Sequence, residues 1–168
     1  MRNHATVKPT IRSTLQADQP ALERIISAVE LFPADMLGGM MAAYLAADGS
    51  AGEFWLTDDD GGPIGIAYCA PERLTDGTWN LLMIAVHPDK QRRGRGAAII
   101  GAVERQVAAR DGRIVLIETS GLGSFERQRA LYKRLGYAEE ARIRDFYEPG
   151  NDKVVFWKSL ARLSEAAQ

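Results

Sequence analysis

The chain has little cysteine, little histidine and almost no net charge. Of 168 residues one is cysteine, Cys69, and two are histidine, His4 and His87. A lone cysteine excludes an internal disulfide framework and fits a reducing compartment, so a cytoplasmic location is expected. A formal charge of -1 offers no footprint for nucleic acid, because such domains usually carry a strong basic excess. No apolar run approaches the roughly 20 residues of a membrane-spanning helix, and no membrane partner is expected. Met1 to Thr10 also lacks the apolar core of a signal peptide. There is no internal repeat and no low-complexity linker, and no metal site is expected.

What is present is ordinary globular composition. Hydrophobic residues make up 46% and charged residues 26% of an 18.4 kDa chain. That is enough for a real core, and residues 1–168 are expected to form a single domain.

Val7 to Arg12 predicts a first strand, with Pro9 marking an edge or a bulge. Asp18 is the expected N-cap of a helix to about Glu30, with Leu22, Ile25, Ile26 and Val29 on one face. Pro33 fits the first turn of a second helix, which ends at Asp48-Gly49. Its stripe is Leu37, Met40, Met41 and Tyr44. Glu53 to Thr57 and Ile64 to Ala70 predict two strands around the Asp- and Gly-rich turn Asp58 to Pro63. Trp79 to Val86 predicts a more buried strand, and Ala97 to Arg110 a long helix closed by Asp111-Gly112. Arg113 to Thr119 predicts another buried strand, and Ser124 to Leu135 a helix stopped by Gly136 at the left-handed cap position. Tyr137 to Phe146 and Lys153 to Lys158 complete the chain as strands. The order β-α-α-β-β-β-α-β-α-β-β is that of an α+β domain with a mixed sheet of about seven strands.

The informative stretch joins the Trp79 strand to its helix: His87-Pro88-Asp89-Lys90-Gln91-Arg92-Arg93-Gly94-Arg95-Gly96. A glycine-rich turn that opens a helix leaves backbone N–H groups free at the positive end of the helix dipole, which suits a phosphate. Gly94 and Gly96 permit close approach, and Arg92, Arg93 and Arg95 add charge, although some of these arginines are expected to be merely solvated. A Rossmann turn is excluded because the third small residue and a later acidic strand end are missing. A Walker loop is excluded because no Gly-Lys-Ser/Thr follows.

Gln91-Arg92-Arg93-Gly94-Arg95-Gly96 resembles the acyl-CoA signature Gln/Arg-x-x-Gly-x-Gly/Ala of the GCN5-related N-acetyltransferases (GNAT). Ala130-Leu131-Tyr132-Lys133-Arg134-Leu135-Gly136-Tyr137 resembles their second signature, a helix with Tyr running into Gly-Tyr. Spacing and element order match over about Thr6 to Leu160. The resemblance implies a three-layer α/β/α acyltransferase fold with a mostly antiparallel sheet, and acetyl-CoA as co-substrate. The pyrophosphate would lie on the backbone of Gln91 to Ala97, and the pantetheine arm beside Ile84, Ala85 and Val86. Two positions depart from the family pattern. Phe125 stands where members often carry Asn, and Asn80 where histone-type members carry a catalytic Glu.

Acyl transfer to an amine needs a proton donor for the leaving thiolate and an acceptor for the amine proton. Tyr132, with a free pKa of about 10, stays protonated at neutral pH and is the natural donor to the departing thiolate, whose thiol has a pKa of about 8.5. Its alternative role is ring packing. Glu118, at the end of its strand, is the preferred base through water, against a plain ion pair. His87 and Glu72 follow it. Phe32, Tyr44, Trp79 and Tyr147 are candidate substrate-lining residues. The Met36, Met40, Met41 and Tyr44 stripe is core or cleft border, and Cys69 a small buried apolar residue. Ile143 to Gly150 resembles the hairpin that closes the family's acceptor cleft, where Phe146, Tyr147, Asp145 and Glu148 would receive a cationic amine or peptide end. The expected activity is N-acetylation of a small-molecule or peptide amine by direct attack in a ternary complex. The alternative is a catalytically silent acyl-CoA-binding module. A homodimer is also possible, as many members dimerise.

Overall fold

The computed structural model describes residues 10–47 and 52–160. Val7 to Pro9 of the expected first strand, His4 and the Asp48-Gly49 stop lie outside these residues. The elements are β1 (Thr10–Ser13), α1 (Gln19–Val29), α2 (Leu37–Ala46), β2 (Phe54–Asp59), β3 (Pro63–Pro71) and β4 (Thr78–Val86). They continue with α3 (Arg95–Ala108), β5 (Ile114–Ser120), α4 (Glu126–Arg134), β6 (Ala138–Glu148) and β7 (Asn151–Ser159). The strands hydrogen-bond in the order β1-β2-β3-β4-β5-β7-β6. β4 and β5 pair in parallel, while β1/β2, β5/β7 and β6/β7 are antiparallel. The expected α+β class and strand count hold.

The chain forms two compact units, Met1–Tyr68 with Met83–Ala102, and Cys69–Leu82 with Val103–Gln168. β3, β4 and α3 run through both. In the first unit Leu22, Ile25 and Ile26 of α1 and Leu37, Met41 and Tyr44 of α2 pack on Trp55, Ile66, Met83 and Ala85. This is the apolar face read from helical spacing, except that Met40 is 37% exposed and outside it. Successive strand residues point to opposite faces, and Gly65 beside Ile66 faces the other way. A Cβ on Gly65 would stand 2.9 Å from Ile99 Cδ1 and 3.1 Å from the Ala85 carbonyl oxygen. Helices therefore cover both faces of the sheet within this unit, α1 and α2 on one side and the start of α3 on the other.

Asp18 stands before α1 but does not cap it. Its carboxylate turns back to Arg12 at 2.7 and 2.9 Å, the Leu15 N–H at 2.9 Å and the Thr57 hydroxyl at 3.1 Å. A guanidinium offers charge-assisted bonds that outcompete a helix N–H. The expected turn is tighter than read: β2 runs to Asp59, whose carboxylate accepts the Gly62 N–H at 2.8 Å.

In the second unit burial alternates. Val115, Ile117, Val154 and Phe156 are buried, whereas Leu116, Glu118, Lys153, Val155 and Trp157 on the other face are half-buried. Phe156 meets Tyr132 of α4 edge-on, with centroids 5.4 Å apart. Gly136 has φ +88° and ends α4 as predicted. Its N–H bonds the Lys133 carbonyl at 3.1 Å, and the Tyr137 N–H bonds the Tyr132 carbonyl at 3.0 Å.

Candidate active site

In the first unit β4 ends at Val86, a short 3-10 turn covers Pro88–Lys90, and α3 opens at Arg95, two residues earlier than predicted. Gly96 thus belongs to the first helical turn rather than the loop. The change of direction is made before it, by Arg92 at φ +61° and Gly94 at φ +73°. A Cβ on Gly94 would meet nothing within 4 Å, so its surface is open to a ligand. The Ala98 N–H bonds the Gly94 carbonyl at 3.0 Å, and the Arg95, Gly96 and Ala97 N–H groups precede that bond at the helix start.

Side chains of the loop divide into two groups. Gln91 closes the turn internally, its Nε2 donating to the Val86 carbonyl at 2.9 Å and its N–H to the Pro88 carbonyl at 3.3 Å. Arg95 binds Asp58 through Nε at 2.8 Å and through Nη2. Gln91 is thus spent on the turn and Arg95 on the Asp58 carboxylate, which corrects the reading of Arg95 as free phosphate charge. Arg92 and Arg93 are exposed and make no ion pair among the described residues. His87 accepts the Asp89 N–H at Nδ1, 3.2 Å, and serves the turn. Ile84 is half-buried, and Ala85 and Val86 are buried at the strand end.

In the second unit Tyr132 is buried, and burial pushes its hydroxyl up to about 12. α4 is fixed behind it by a polar cluster. The Tyr137 hydroxyl donates to Glu104 at 3.0 Å, and Lys158 donates to Glu104 at 2.9 Å and to the Leu135 carbonyl at 2.8 Å. β5 runs two residues past Glu118, which stands in an ion pair, Lys153 Nζ lying 2.7 Å from Oε2 and 4.2 Å from the Phe146 ring centre. Tyr147, half-exposed and edge-on to Phe146 at 5.1 Å, has its hydroxyl pushed up by burial and by the Glu118 charge. Glu118, Lys153, Phe146 and Tyr147 therefore form one cluster. The β4/β5 ladder runs only from Thr78/Ile114 to Leu81/Ile117, so Glu118 lies just past its end.

Asn80 is buried. Its Nδ2 donates to Glu72 Oε1 at 2.8 Å, and its Oδ1 is enclosed without a partner. The sequence pointed to the substitution at Asn80 but not to this pair, since nothing in the spacing links residues on either side of the Glu72–Gly77 turn. Of the lining candidates, Tyr44 belongs to the helix core and Phe32 packs against it. Trp79 is buried with its indole beside Gly112, a core position at the opposite end of β4 from Val86. Of the four, Phe32 is partly buried and Tyr147 alone is exposed. Among the described residues no cluster of His, Cys, Asp or Glu could hold a metal, and no helix is long and apolar enough to cross a membrane.

The acetyltransferase (GNAT) domain family matches residues 50–139, more than half of the chain and both signature segments. The chain belongs to the GNAT family. A Desulfovibrio desulfuricans protein described as of the GNAT family superposes on this GNAT chain with a TM-score of 0.85 at 28% identity, over 92% of this chain and 100% of its own. The ribosomal-protein-S18-alanine N-acetyltransferase of Escherichia coli has the same fold, with a TM-score of 0.73 at 21% identity, over 91% and 94% of the two chains. A Salmonella typhimurium protein solved with its cofactor acetyl-CoA gives 0.74 at 19% identity, over 91% and 94%. No curated protein sequence matches this one.

Proposed function

We propose that this GNAT chain transfers the acetyl group of acetyl-CoA to a primary amine, of a small molecule or a peptide, by direct attack in a ternary complex. The observation that carries the reading is the turn at Arg92 and Gly94. It opens α3 with N–H groups unclaimed and Arg92 and Arg93 free, and so fits a pyrophosphate. Acetyl-CoA supplies an activated acyl group as a thioester. The backbone of Arg92 to Ala97 binds its phosphates, and the end of β4, Ile84 to Val86, lines its arm. A cytoplasmic setting follows the lone, buried cysteine.

Tyr132 is assigned to the leaving sulfur, in a narrower role than outright proton transfer. At about 12 the hydroxyl stays protonated at neutral pH, but it is a weaker acid than a thiol of about 8.5. Full transfer would run uphill by about 5 kcal/mol. The hydroxyl therefore donates a hydrogen bond to the sulfur as charge develops, and solvent completes the protonation. Glu118 is assigned as base through Oε1, the oxygen that Lys153 leaves open, and Tyr147 and Phe146 receive the amine.

Asn80 favours a second reading. An amide stands where histone-type members have a carboxylate, and it engages Glu72, which fits a silent acyl-CoA-binding module. Thiol release from acetyl-CoA across a panel of amines separates the two. Turnover with at least one amine is expected, and CoA binding without turnover on any of them would leave the binding module.

A further inference from the structure

We propose that Asp58 is a positioning residue for the donor loop, clamping the start of α3 through Arg95, whose guanidinium serves the clamp and not the phosphates. The proposal rests on the donor-site reading above. Asp58 lies on β2 opposite Ile11, with its side chain fully buried. A buried carboxylate is costly unless its charge is matched and its oxygens are bonded. Arg95 does both, one nitrogen to each oxygen, and such a fork fixes orientation as well as distance.

The clamp has further supports in the same unit. Lys90, at the other end of the loop, reaches Asp60 at 3.2 Å, a half-exposed and weaker tie. Gly65 lets Ile99 of α3 come down on β3. Between Lys90 and Arg95 the chain reverses through Arg92, in the left-handed region that is uncommon for a residue with a side chain. Two carboxylates of the β2 end thus hold the two ends of the turn, and the arginines left to face an anion are Arg92 and Arg93.

The test measures CoA affinity by calorimetry, with kcat and KM for acetyl-CoA, for wild type, Asp58→Asn, Arg95→Gln and the double variant. Each single change is expected to weaken CoA by about tenfold and raise KM with kcat nearly kept, because a displaced loop loses binding geometry. The double variant should be no weaker than either single one. Asp18→Asn, which breaks the other buried pair of this unit, should lower thermal stability and leave CoA affinity alone. Tighter or unchanged CoA binding by Asp58→Asn overturns the proposal, since a guanidinium freed for phosphate would strengthen binding. So does an Asp18→Asn loss as large as that of Asp58→Asn. If Asp58→Asn fails to fold, Arg95→Lys keeps the charge without the fork; an intermediate loss supports the clamp and unchanged affinity overturns it. Wild type that binds no CoA defeats the donor-site reading instead. The clamp is then judged without ligand, by hydrogen exchange of the 92–97 amides in Arg95→Lys: faster exchange supports it and unaltered exchange overturns it.

Discussion

Burial raises the Tyr132 hydroxyl and the Cys69 thiol for one physical reason: both would have to carry an anion in an apolar surrounding. The consequences differ. At Tyr132 it preserves a hydrogen-bond donor, and Tyr132→Phe should lower kcat on the order of a hundredfold with the KM for acetyl-CoA little changed. Initial rates over pH 6–9 check this, and equal rates throughout would remove the hydroxyl from the mechanism. At Cys69 burial withholds the reactive form, its thiol being pushed up to about 12. Folded protein should leave a thiol-specific disulfide reagent unconsumed, and denatured protein should consume one equivalent. The expectation of a small buried residue at Cys69 was legible in its apolar neighbours. Lys153 on Glu118 was not, because the two are brought together only by the β5/β7 register that sets Glu118 opposite Val155.

Elements here are seated by a few close contacts, and two of them can be loosened singly. Arg12 holds the Asp18 and Asp59 carboxylates below their ordinary range through its hydrogen bonds. A carboxylate lowered in the folded state contributes stability above its unfolded pKa of about 3.9, and loses it as pH falls through the depressed folded value. Asp18→Asn should therefore cost about 3 kcal/mol at pH 7, and the gap to wild type should begin to narrow below about pH 4 and shrink further as pH falls toward the depressed folded value. Denaturant melts at pH 7 and pH 3 measure it; an equal gap at both would show that charge is not the cause. Gly65→Ala would force a methyl toward Ile99 and the Ala85 carbonyl, and should cost about 1–3 kcal/mol by thermal denaturation. Helical and strand spans were readable because apolar spacing and turn residues agree along most of the chain. The start of α3 was not, since arginine as a residue type gives no sign of the positive φ that Arg92 adopts.

For the whole molecule, the order of elements and the two signatures made the family legible, but the order of strands was open. Pro149-Gly150-Asn151 announced a hairpin without saying which arm lies against β5. The composition contained the answer: β7 buries Val154 and Phe156, while all 11 residues of β6 are exposed. A strand with no buried face belongs at the rim. The Asp58–Arg95 and Glu104–Tyr137–Lys158 ties were illegible for a different reason, their partners standing more than thirty positions apart. The exposed rim has a colloidal consequence. Exposed Ile143 and Phe146 with free backbone groups would template a neighbouring chain, and β6 discourages it with Glu139, Glu140, Arg142 and Arg144. Asp145, at φ +53°, breaks the ladder between Ile143 and Glu148, so an incoming strand finds no continuous register to extend. The hairpin is thereby protected against edge-to-edge aggregation.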